Sequence, residues 1–286
     1  MRVLITGASG QLGTDLVRWF ELAGHHEVVA CDRAALDVAD RDAVLGAITS
    51  TTPDVVVHPA AWTAVDACEG DPDRAYLVNA LGSRHVADAA RRVGAPVVYV
   101  STDYVFDGTK EGPYREWDEP NPQSVYGASK LAGEREVLAL APGSTVVRTS
   151  WVCGEHGANM VKTVLRLATE HPTLSFVDDQ RGRPTFAADL AAAVGRLVVE
   201  RRPGTFHLAN AGAVTWYEFA RAVLEAAGED PDRVSPVSTA ELQPPRPAPR
   251  PANSVLDDLA WRSAGLPPLR DFREPLAELV ARLRSA

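Results

Sequence analysis

Three glycines near the start of the chain constrain its fold more than any other feature. A short β-branched run over residues 3–6 precedes Gly7, and the apolar spacing of a helix begins at Gly10 and continues past Gly13. In dinucleotide-binding units, such glycines permit the tight turn, the approach of backbone to a pyrophosphate, and the packing of helix on strand. The pattern therefore predicts an α/β fold in which the backbone of Gln11 and Leu12, at the helix N-terminus, helps to hold phosphates.

The remainder of the first half alternates short apolar strands with helices. Strands are predicted over 27–31, 55–58, 97–101 and 144–149, and helices over 10–23, 41–49, 73–93 and from 126 to about 140. Continuous apolar strands separated by helices indicate a parallel sheet covered on both faces, and right-handed crossovers make it doubly wound. A strand over 205–209 is expected to rejoin this sheet, and further helices are predicted over 160–169, 187–199, 216–227 and 269–283.

The chain of 286 residues is long enough for a main domain with a smaller lobe. A dinucleotide-binding Rossmann domain is predicted over 1–150 plus about 187–210, and a smaller, C-terminal substrate-binding lobe over about 151–186 and 211–286. The proline-rich run over 244–251 is predicted to be a surface connector, because proline lacks a backbone donor and fixes φ.

Charge and cysteine content exclude some classes of partner. A net charge of −9 disfavours binding to nucleic acid or to an anionic membrane, since either needs a basic face. Cys31, Cys68 and Cys153 are scattered and match no metal-ligand spacing, which indicates reduced thiols in the cytoplasm. No apolar stretch has the length of a signal peptide core or a membrane span, so a soluble, intracellular protein is expected.

The end of the second strand bears on which dinucleotide binds. Asp32 could accept the 2′-hydroxyl of NAD, while Arg33 could pair with the 2′-phosphate of NADP. Having both, the sequence favours NADPH and leaves NADH open as a second cofactor. After the third strand, the small residue Ala61 and the backbone of Trp62 and Thr63 are expected to pass close to the cofactor.

Asn79 is the one polar residue singled out within a helix that otherwise has the pattern of a buried one. A buried asparagine needs hydrogen-bond partners, so a structural hydrogen bond is its expected role.

Three polar side chains are predicted to meet at the carboxyl edge of the sheet, where open α/β sheets bind ligands. Thr102 directly follows the fourth strand, and Tyr126 and Lys130, four residues apart, share one face of the next helix. The pKa of a free tyrosine is about 10, too high for efficient proton transfer near neutrality. A neighbouring ammonium and a cationic nicotinamide are expected to lower that pKa.

This arrangement suits the reduction of a ketone, which requires a hydride at carbon and a proton at the developing alkoxide. Tyr126 would give the proton, Thr102 would donate to the carbonyl oxygen, and Lys130 would hold the nicotinamide ribose. A lone Tyr-x-x-x-Lys arises often by chance. Its order and spacing after the glycine turn and after Thr102 make chance a poor explanation.

These motifs resemble those of the dTDP-4-dehydrorhamnose reductase family, whose members are extended short-chain dehydrogenases. The resemblance spans almost the whole chain and includes residues 7–13, 60–66, 101–108, 126–130, 148–152, 179–185 and 250–257. It implies NADPH-dependent reduction of the C4 ketone of a dTDP-linked 6-deoxy-4-keto sugar, the step from dTDP-4-dehydrorhamnose to dTDP-L-rhamnose.

The resemblance also implies individual roles. Thr102, Tyr126 and Lys130 would form the catalytic triad, with Asp103 and Trp151 touching the sugar; Trp151 fits a core position equally well. The further implied positions, with the alternative of an ordinary structural or surface role, are Asp37 and Val38 at the adenine and Arg181, Arg183 and Arg250 near the diphosphate.

Other implications concern the sugar and the assembly. Cys153 stands where family members often have tyrosine, which leaves the identity of the sugar open. Some relatives dimerise through acidic residues around a divalent ion, for which Asp15 and Asp189 are candidates. Two acids so far apart in sequence do not define a metal site, so no metal ligands are predicted and a homodimer is left open.

Three alternatives bear on the activity. In nucleotide-sugar 4,6-dehydratases an acidic pair follows the threonine, but here Thr102 and Asp103 precede Tyr104, so the base for elimination is missing. A 4-ketoreductase for another nucleotide-linked deoxysugar, in natural-product biosynthesis, would need the same site. A non-catalytic dinucleotide-binding subunit, such as the regulatory subunit of methionine adenosyltransferase, shares the fold, but the intact triad argues against it.

Overall fold

The computed structural model describes residues 1–285. The strands are β1 (Arg2–Thr6), β2 (Glu27–Cys31), β3 (Val55–His58), β4 (Val97–Thr102), β5 (Thr145–Thr149), β6 (Val152–Cys153), β7 (Leu174–Val177), β8 (Arg181–Gly182), β9 (Thr185–Phe186), β10 (Gly204–His207), β11 (Val214–Thr215) and β12 (Val234–Val237). The α-helices are α1 (Gln11–Leu22), α2 (Arg41–Thr51), α3 (Val65–Gly70), α4 (Pro72–Tyr76), α5 (Gly82–Arg92), α6 (Val125–Leu140), α7 (Met160–Glu170), α8 (Ala187–Val199), α9 (Trp216–Ala226), α10 (Leu259–Ser263) and α11 (Arg273–Ser285). None of these helices is long and apolar enough to cross a membrane.

Six strands form the main sheet, in the order β10-β5-β4-β3-β1-β2, and every neighbouring pair is parallel. The predicted doubly wound parallel sheet is therefore confirmed. The late strand returns beside β5 as expected, although it begins at Gly204 and ends at His207. Because β2 lies on one side of β1 and β3 on the other, the order of connection reverses between β1 and β3. The crevice at the carboxyl ends of the strands near such a reversal is where these sheets bind ligands.

The sheet is buried on both faces, as the continuous apolar strands predicted. Along β1, Val3 and Ile5 enter a core with Leu16 of α1, while Leu4 between them enters a second core with Ile48 of α2. All five side chains are fully buried. Alternate residues of a strand point to opposite faces, so an unbroken apolar run fills two cores at once.

The shorter strands form three two-stranded sheets beside the main one: β12 with β7, β11 with β8, and β6 with β9. A third apolar core joins this part of the chain, in which Phe219 of α9 packs edge-on against Phe272, with ring centroids 5.9 Å apart. Both rings are fully buried. The segments that follow β5 and β10 thus have a core separate from the two that cover the sheet.

The prediction of one regular helix over 73–93 is wrong in one respect, because the α-helix is interrupted. It consists of α4, a π-helical turn over Leu77–Leu81, and α5. A π turn inserts an extra residue into the helical repeat, and such turns are frequent at functional sites. Apolar periodicity does not reveal the insertion, since the buried face continues on both sides of it.

A buried ion pair ties α6 to β5. The Nη2 and Nε atoms of Arg148 donate to the two oxygens of the Glu134 carboxylate, at 2.7 Å and 3.0 Å. Both side chains are almost completely buried. Ser101, at the end of β4, donates a further hydrogen bond to the same carboxylate. The two buried charges therefore compensate each other, and both are hydrogen-bonded.

Arg148→Met should destabilise the protein by about 3–5 kcal/mol, because it leaves the Glu134 carboxylate buried without a counter-charge. The measurement is urea unfolding at neutral pH. Arg84→Met is the matched control. Arg84 pairs at 2.9 Å with Glu136, which lies on the same helix as Glu134, but Arg84 is 53% exposed, so its loss should cost less than about 1 kcal/mol. Equal and small effects of the two substitutions would contradict the importance of the buried pair.

Candidate active site

A cavity of about 760 Å³ opens at the carboxyl edge of the main sheet. Its wall is built from the turn after β1 and the loops after β2, β3, β4 and β5, together with one face of α6. Every residue predicted to bind the cofactor lines it except Asp32, and so do the residues predicted to touch the keto-sugar. The lining residues among them are Gly7, Gly10, Gln11, Leu12, Gly13, Arg33, Asp37, Val38, Ala61, Trp62, Thr63, Thr102, Asp103, Tyr126, Lys130 and Trp151.

The glycine turn fits a dinucleotide for two geometric reasons. Gly7 has a φ of +58°, a conformation that side chains rarely adopt, and a Cβ on Gly13 would lie only 2.2 Å from the Gly7 carbonyl oxygen. The first hydrogen bond of α1 runs from the Thr14 amide to the Gly10 carbonyl, at 3.0 Å. The preceding first-turn amides have no helical acceptor and are thus free for an anion.

The two residues at the end of β2 behave differently. Arg33 lies at the rim of the cavity, 74% exposed and 3.8 Å from the Asp37 carboxylate. Asp32, by contrast, turns its carboxylate to the Ala35 amide at 2.8 Å and does not line the cavity. A carboxylate that closes its own turn competes poorly for a ribose hydroxyl, so the predicted placement of Asp32 at the cofactor is corrected.

Asn79 holds the loop after β3. Its side-chain oxygen accepts from the Trp62 amide at 2.7 Å, and its amide group donates to the Trp62 carbonyl at 3.1 Å and to Ser129 at 3.0 Å. The expected structural hydrogen bond is confirmed, and it fixes the backbone that passes along the cavity. The Asn79 side chain is fully buried.

Thr102, Tyr126 and Lys130 meet in the cavity as predicted. The Thr102 hydroxyl donates to Asp103 at 3.0 Å and accepts from the Tyr104 amide at 3.2 Å. The Lys130 ammonium donates to the Val100 carbonyl at 2.7 Å. Tyr126 and Lys130 are both buried, on the same face of α6.

Burial dominates the protonation of this pair. It raises the pKa of Tyr126, and hydrogen bonding to Thr102 only partly opposes that rise. Burial also lowers the pKa of Lys130 to about 7, opposed by the Glu134 carboxylate. The expected fall in the pKa of Tyr126 is therefore wrong for the protein by itself. The phenol keeps its proton at neutral pH, which is the form a proton donor requires.

Asp103 faces the cavity with an unused acceptor. Its side chain is buried, and within residues 1–285 its Oδ2 atom has no hydrogen-bond partner. Desolvation raises the pKa of this carboxyl to about 6. A buried acceptor without a partner is costly, so a hydroxyl group in the cavity would relieve it.

Trp151 lines the cavity and also packs, partly buried, against the third apolar core. Its φ of +48° is uncommon for a residue other than glycine. Its ring stacks on Trp216 with centroids 3.4 Å apart and an interplanar angle of 8°. Trp216 begins α9 and lines the same cavity. The two indoles form one aromatic wall.

Five other candidates from the sequence do not line this cavity. Arg250 pairs with Asp66, and Asp189 accepts from Arg270 at 3.0 and 3.1 Å and from Asn210 at 2.7 Å. Arg181 is exposed on β8, and neither it nor Arg183 lines the cavity. Asp15 lines a separate, smaller cavity beside Arg18, Glu155 and Arg282. In the part of the chain that the structure describes, no three acidic, histidine or cysteine side chains are grouped as a metal site.

Trp216 and Arg74 are among the cavity residues that sequence reasoning missed. The Arg74 guanidinium lies 4.5 Å from the centroid of the Trp62 ring. A signal for Arg74 existed: Val78, four residues on, also lines the cavity, and neighbouring Asn79 marks that helix as a wall of the site. No local signal identified Trp216, because its partner Trp151 is far away in the sequence.

Comparison with known proteins gives a match to the family model described as RmlD substrate binding domain over residues 1–285. The chain is 46% identical to the dTDP-4-dehydrorhamnose reductase of Mycobacterium tuberculosis over 286 residues, covering 98% of this chain and 92% of that protein. It is 42% identical to the dTDP-4-keto-6-deoxy-D-glucose reductase of Streptomyces niveus over 279 residues, covering 97% and 96%. A crystal structure of dTDP-4-dehydrorhamnose reductase from Bacillus anthracis in complex with NADP is similar, with a TM-score of 0.94, 38% identity, and coverage of 98% and 99%.

Gly13→Ala should weaken binding of NADPH, the cofactor predicted from the sequence, by about 10- to 100-fold. The added methyl would meet backbone atoms of Gly7 and Ala8, which cannot move aside without opening the phosphate turn. Fluorescence titration measures the affinity. Gly46→Ala in α2 is the control, because a Cβ there meets nothing within 4 Å and should add about 1 kcal/mol of stability. Wild-type affinity in Gly13→Ala would contradict the model of the turn.

Proposed function

Since the chain belongs to the RmlD substrate binding domain family, we propose that it is an NADPH-dependent reductase of the C4 ketone in a dTDP-linked 6-deoxy-4-keto sugar. The preferred reaction converts dTDP-4-dehydrorhamnose to dTDP-L-rhamnose. Relatives named for this activity are similar over nearly their whole length.

The observation that carries the proposal is the meeting of Thr102, Tyr126 and Lys130 in one cavity with the glycine turn. The residue after Asp103 is Tyr104, so no second carboxylate stands where a dehydratase would need its base. The buried, proton-bearing Tyr126 supports reduction rather than elimination.

NADPH, when bound, supplies the hydride that is added to C4. Tyr126 gives its phenolic proton to the oxygen of that carbonyl as the alkoxide develops, so that one hydride and one proton convert ketone to alcohol. Thr102, held by Asp103 and Tyr104, positions the same oxygen. Lys130 is fixed at the Val100 carbonyl. Its ammonium would hold the nicotinamide ribose and offset the negative charge of the phenolate that is left after Tyr126 gives up its proton.

The remaining roles extend this proposal along the cavity. Residues 7–13 would hold the pyrophosphate, Arg33 the 2′-phosphate, Asp37 and Val38 the adenosine, and 61–63 the backbone contacts to the cofactor. Asp103 and Trp151 would contact the sugar. Residues 1–150 and 187–210 would then be the dinucleotide-binding domain, and 151–186 and 211–286 the substrate-binding lobe. In the described part of the chain the three cysteines form no disulfide, which supports a cytoplasmic location.

A second candidate is a 4-ketoreductase for another dTDP-deoxysugar. Cys153 favours it, because the thiol replaces a residue type common in the family and donates to the carbonyl of the cavity residue Trp151 at 3.5 Å. The similar protein from Streptomyces niveus is named for such an activity.

The test is oxidation of NADPH, followed by absorbance, with dTDP-6-deoxy-L-lyxo-4-hexulose and with dTDP-4-keto-6-deoxy-D-glucose, and with the product identified by NMR. Faster turnover of the first sugar supports the rhamnose reaction, and faster turnover of the second supports the alternative. Tight NADPH binding without oxidation by either sugar would favour a regulatory subunit and reject both enzymatic proposals.

Tyr126→Phe should lower kcat by about two to four orders of magnitude with little change in the Kd for NADPH, because it removes only the proton donor. Steady-state kinetics and fluorescence titration measure the two effects. Tyr217→Phe, in a tyrosine of α9 that does not line the cavity, is the control and should stay within about twofold of wild type. A kcat near the wild-type value in Tyr126→Phe would reject the mechanism.

Arg33→Ser should reduce the preference for NADPH over NADH by about 10- to 100-fold, since it removes the cation at the rim that faces the 2′-phosphate. The ratio of kcat/KM for the two cofactors measures the change. Asp32→Asn is the control: its carboxylate is occupied by the Ala35 amide, so it should change that ratio by less than about threefold. A larger effect of Asp32→Asn than of Arg33→Ser would reverse the assignment.

A further inference from the structure

An extended segment, residues 246–257, runs along the cavity side of the substrate-binding lobe; we call it the strap. It begins in the proline-rich run predicted to be a surface connector. Three separate parts of the chain hold it: the start of α3 after β3, the loop after β4, and β8. The start of α3 and the loop after β4 border the cavity through Val65 and Tyr104, so the strap's position bears on the shape of the sugar end.

Polar contacts fix the strap to the loop after β4 and to β8. The Asn253 amide group donates to the Lys110 carbonyl at 2.7 Å and to the Gly112 carbonyl at 3.0 Å. The Arg181 amide donates to the Ala252 carbonyl at 2.8 Å. These bonds secure the second half of the strap.

The first half is secured to the start of α3 by one ion pair. Two nitrogens of Arg250 bond the two oxygens of Asp66, at 2.5 Å and 2.7 Å. The Ala248 amide donates to the same Asp66 carboxylate at 3.1 Å, and Arg250 donates back to the Ala248 carbonyl at 2.7 Å. The Arg250 side chain is only 9% exposed. A bidentate pair of this kind sets orientation as well as distance.

This geometry argues against direct recognition of the substrate diphosphate by Arg250. Its terminal nitrogens already face a carboxylate, and hydrogen bonding to Arg250 lowers the pKa of Asp66, so the carboxylate stays charged. A diphosphate would have to displace it. Neither Arg250 nor Asp66 lines the cavity.

The pair lies close to the catalytic tyrosine through one neighbour. Val65, next to Asp66, packs in one apolar cluster with Tyr104 and Tyr126. The charge of Arg250 also opposes the burial that raises the pKa of Tyr104 to about 12. The Tyr104 ring packs edge-on against the Tyr126 ring, with centroids 5.6 Å apart. Asp66 itself comes three residues after Thr63, in the segment that follows the cofactor loop.

We propose that Asp66 and Arg250 are a positioning pair that pins the strap to the start of α3 and thereby fixes the sugar-side wall at Tyr104. Neither residue contacts the substrate. This inference rests on the proposed function for its kinetic consequence, but the pinning itself is a property of the protein alone.

Hydrogen exchange tests the pinning without any ligand. Because of the prolines, residues 244–252 carry exchangeable amides only at Arg246, Ala248, Arg250 and Ala252. Arg250→Gln and Asp66→Asn should each speed exchange of this peptide by at least about tenfold, since both release the Ala248 amide. Arg262→Gln, which breaks a more exposed ion pair with Asp257 at the far end of the strap, is the matched control and should leave exchange in residues 244–252 unchanged.

Kinetics tests the consequence. Both single variants should raise KM for the nucleotide sugar by about 10- to 100-fold, change kcat by less than about threefold, and leave the Kd for NADPH unchanged. Arg250→Lys should recover part of the loss, and the charge-swapped double variant Asp66→Arg with Arg250→Asp should bind better than either single variant.

The two single variants separate positioning from direct contact. If Arg250 bound the diphosphate, Asp66→Asn would free its guanidinium, and KM would stay the same or fall. That outcome, exchange as in wild type, or an unchanged KM in either variant would overturn the proposal. Should the wild type fail to reduce any keto-sugar, the proposed function fails, and the Kd for dTDP by calorimetry replaces KM as the readout.

Discussion

The buried polar face of α6 is the constraint on which the rest of the site depends. Tyr126, Lys130 and Glu134 recur every four residues, so they lie in one row along the helix. All three are buried, in a position where an ordinary helix would place leucine or valine. Such a row is stable only if each group has its partner, and those partners come from the ends of β4 and β5. The sheet and the helix must therefore be placed correctly before the site exists.

The charges of this row are balanced stepwise from the core outward. Arg148 of β5 neutralises Glu134, and Glu134 in turn favours the charged form of Lys130, whose pKa burial would otherwise lower further. Removal of the Glu134 charge in the core would therefore change the protonation of Lys130 in the cavity. Glu134 does not line the cavity and acts on Lys130 through its charge. The stability of the fold and the electrostatics of the site rest on the same ion pair.

Features encoded by local patterns were predictable from the sequence. The glycine turn, the apolar strands and the four-residue spacing of Tyr126 and Lys130 depend on neighbouring residues, and the structure has them where expected. Three features depend on distant or competing partners and were missed. Arg250 pairs with Asp66, 184 positions away in the sequence, and Trp216 stacks on the distant Trp151. The Asp32 carboxylate accepts from the Ala35 amide within its own turn and does not line the cavity. The π turn escaped because the buried face is continuous through it.

The protonation of Tyr126 follows from the same burial that makes the site costly. A phenol in a desolvated cavity with Asp103 nearby holds its proton, because both burial and the adjacent carboxyl raise its pKa. A ketone accepts that proton only as hydride addition makes its oxygen basic, so the proton moves when it is needed. Oxidation of an alcohol would instead require Tyr126 as phenolate, the form that this environment disfavours. The protein by itself thus holds Tyr126 in the protonated form that a proton donor requires.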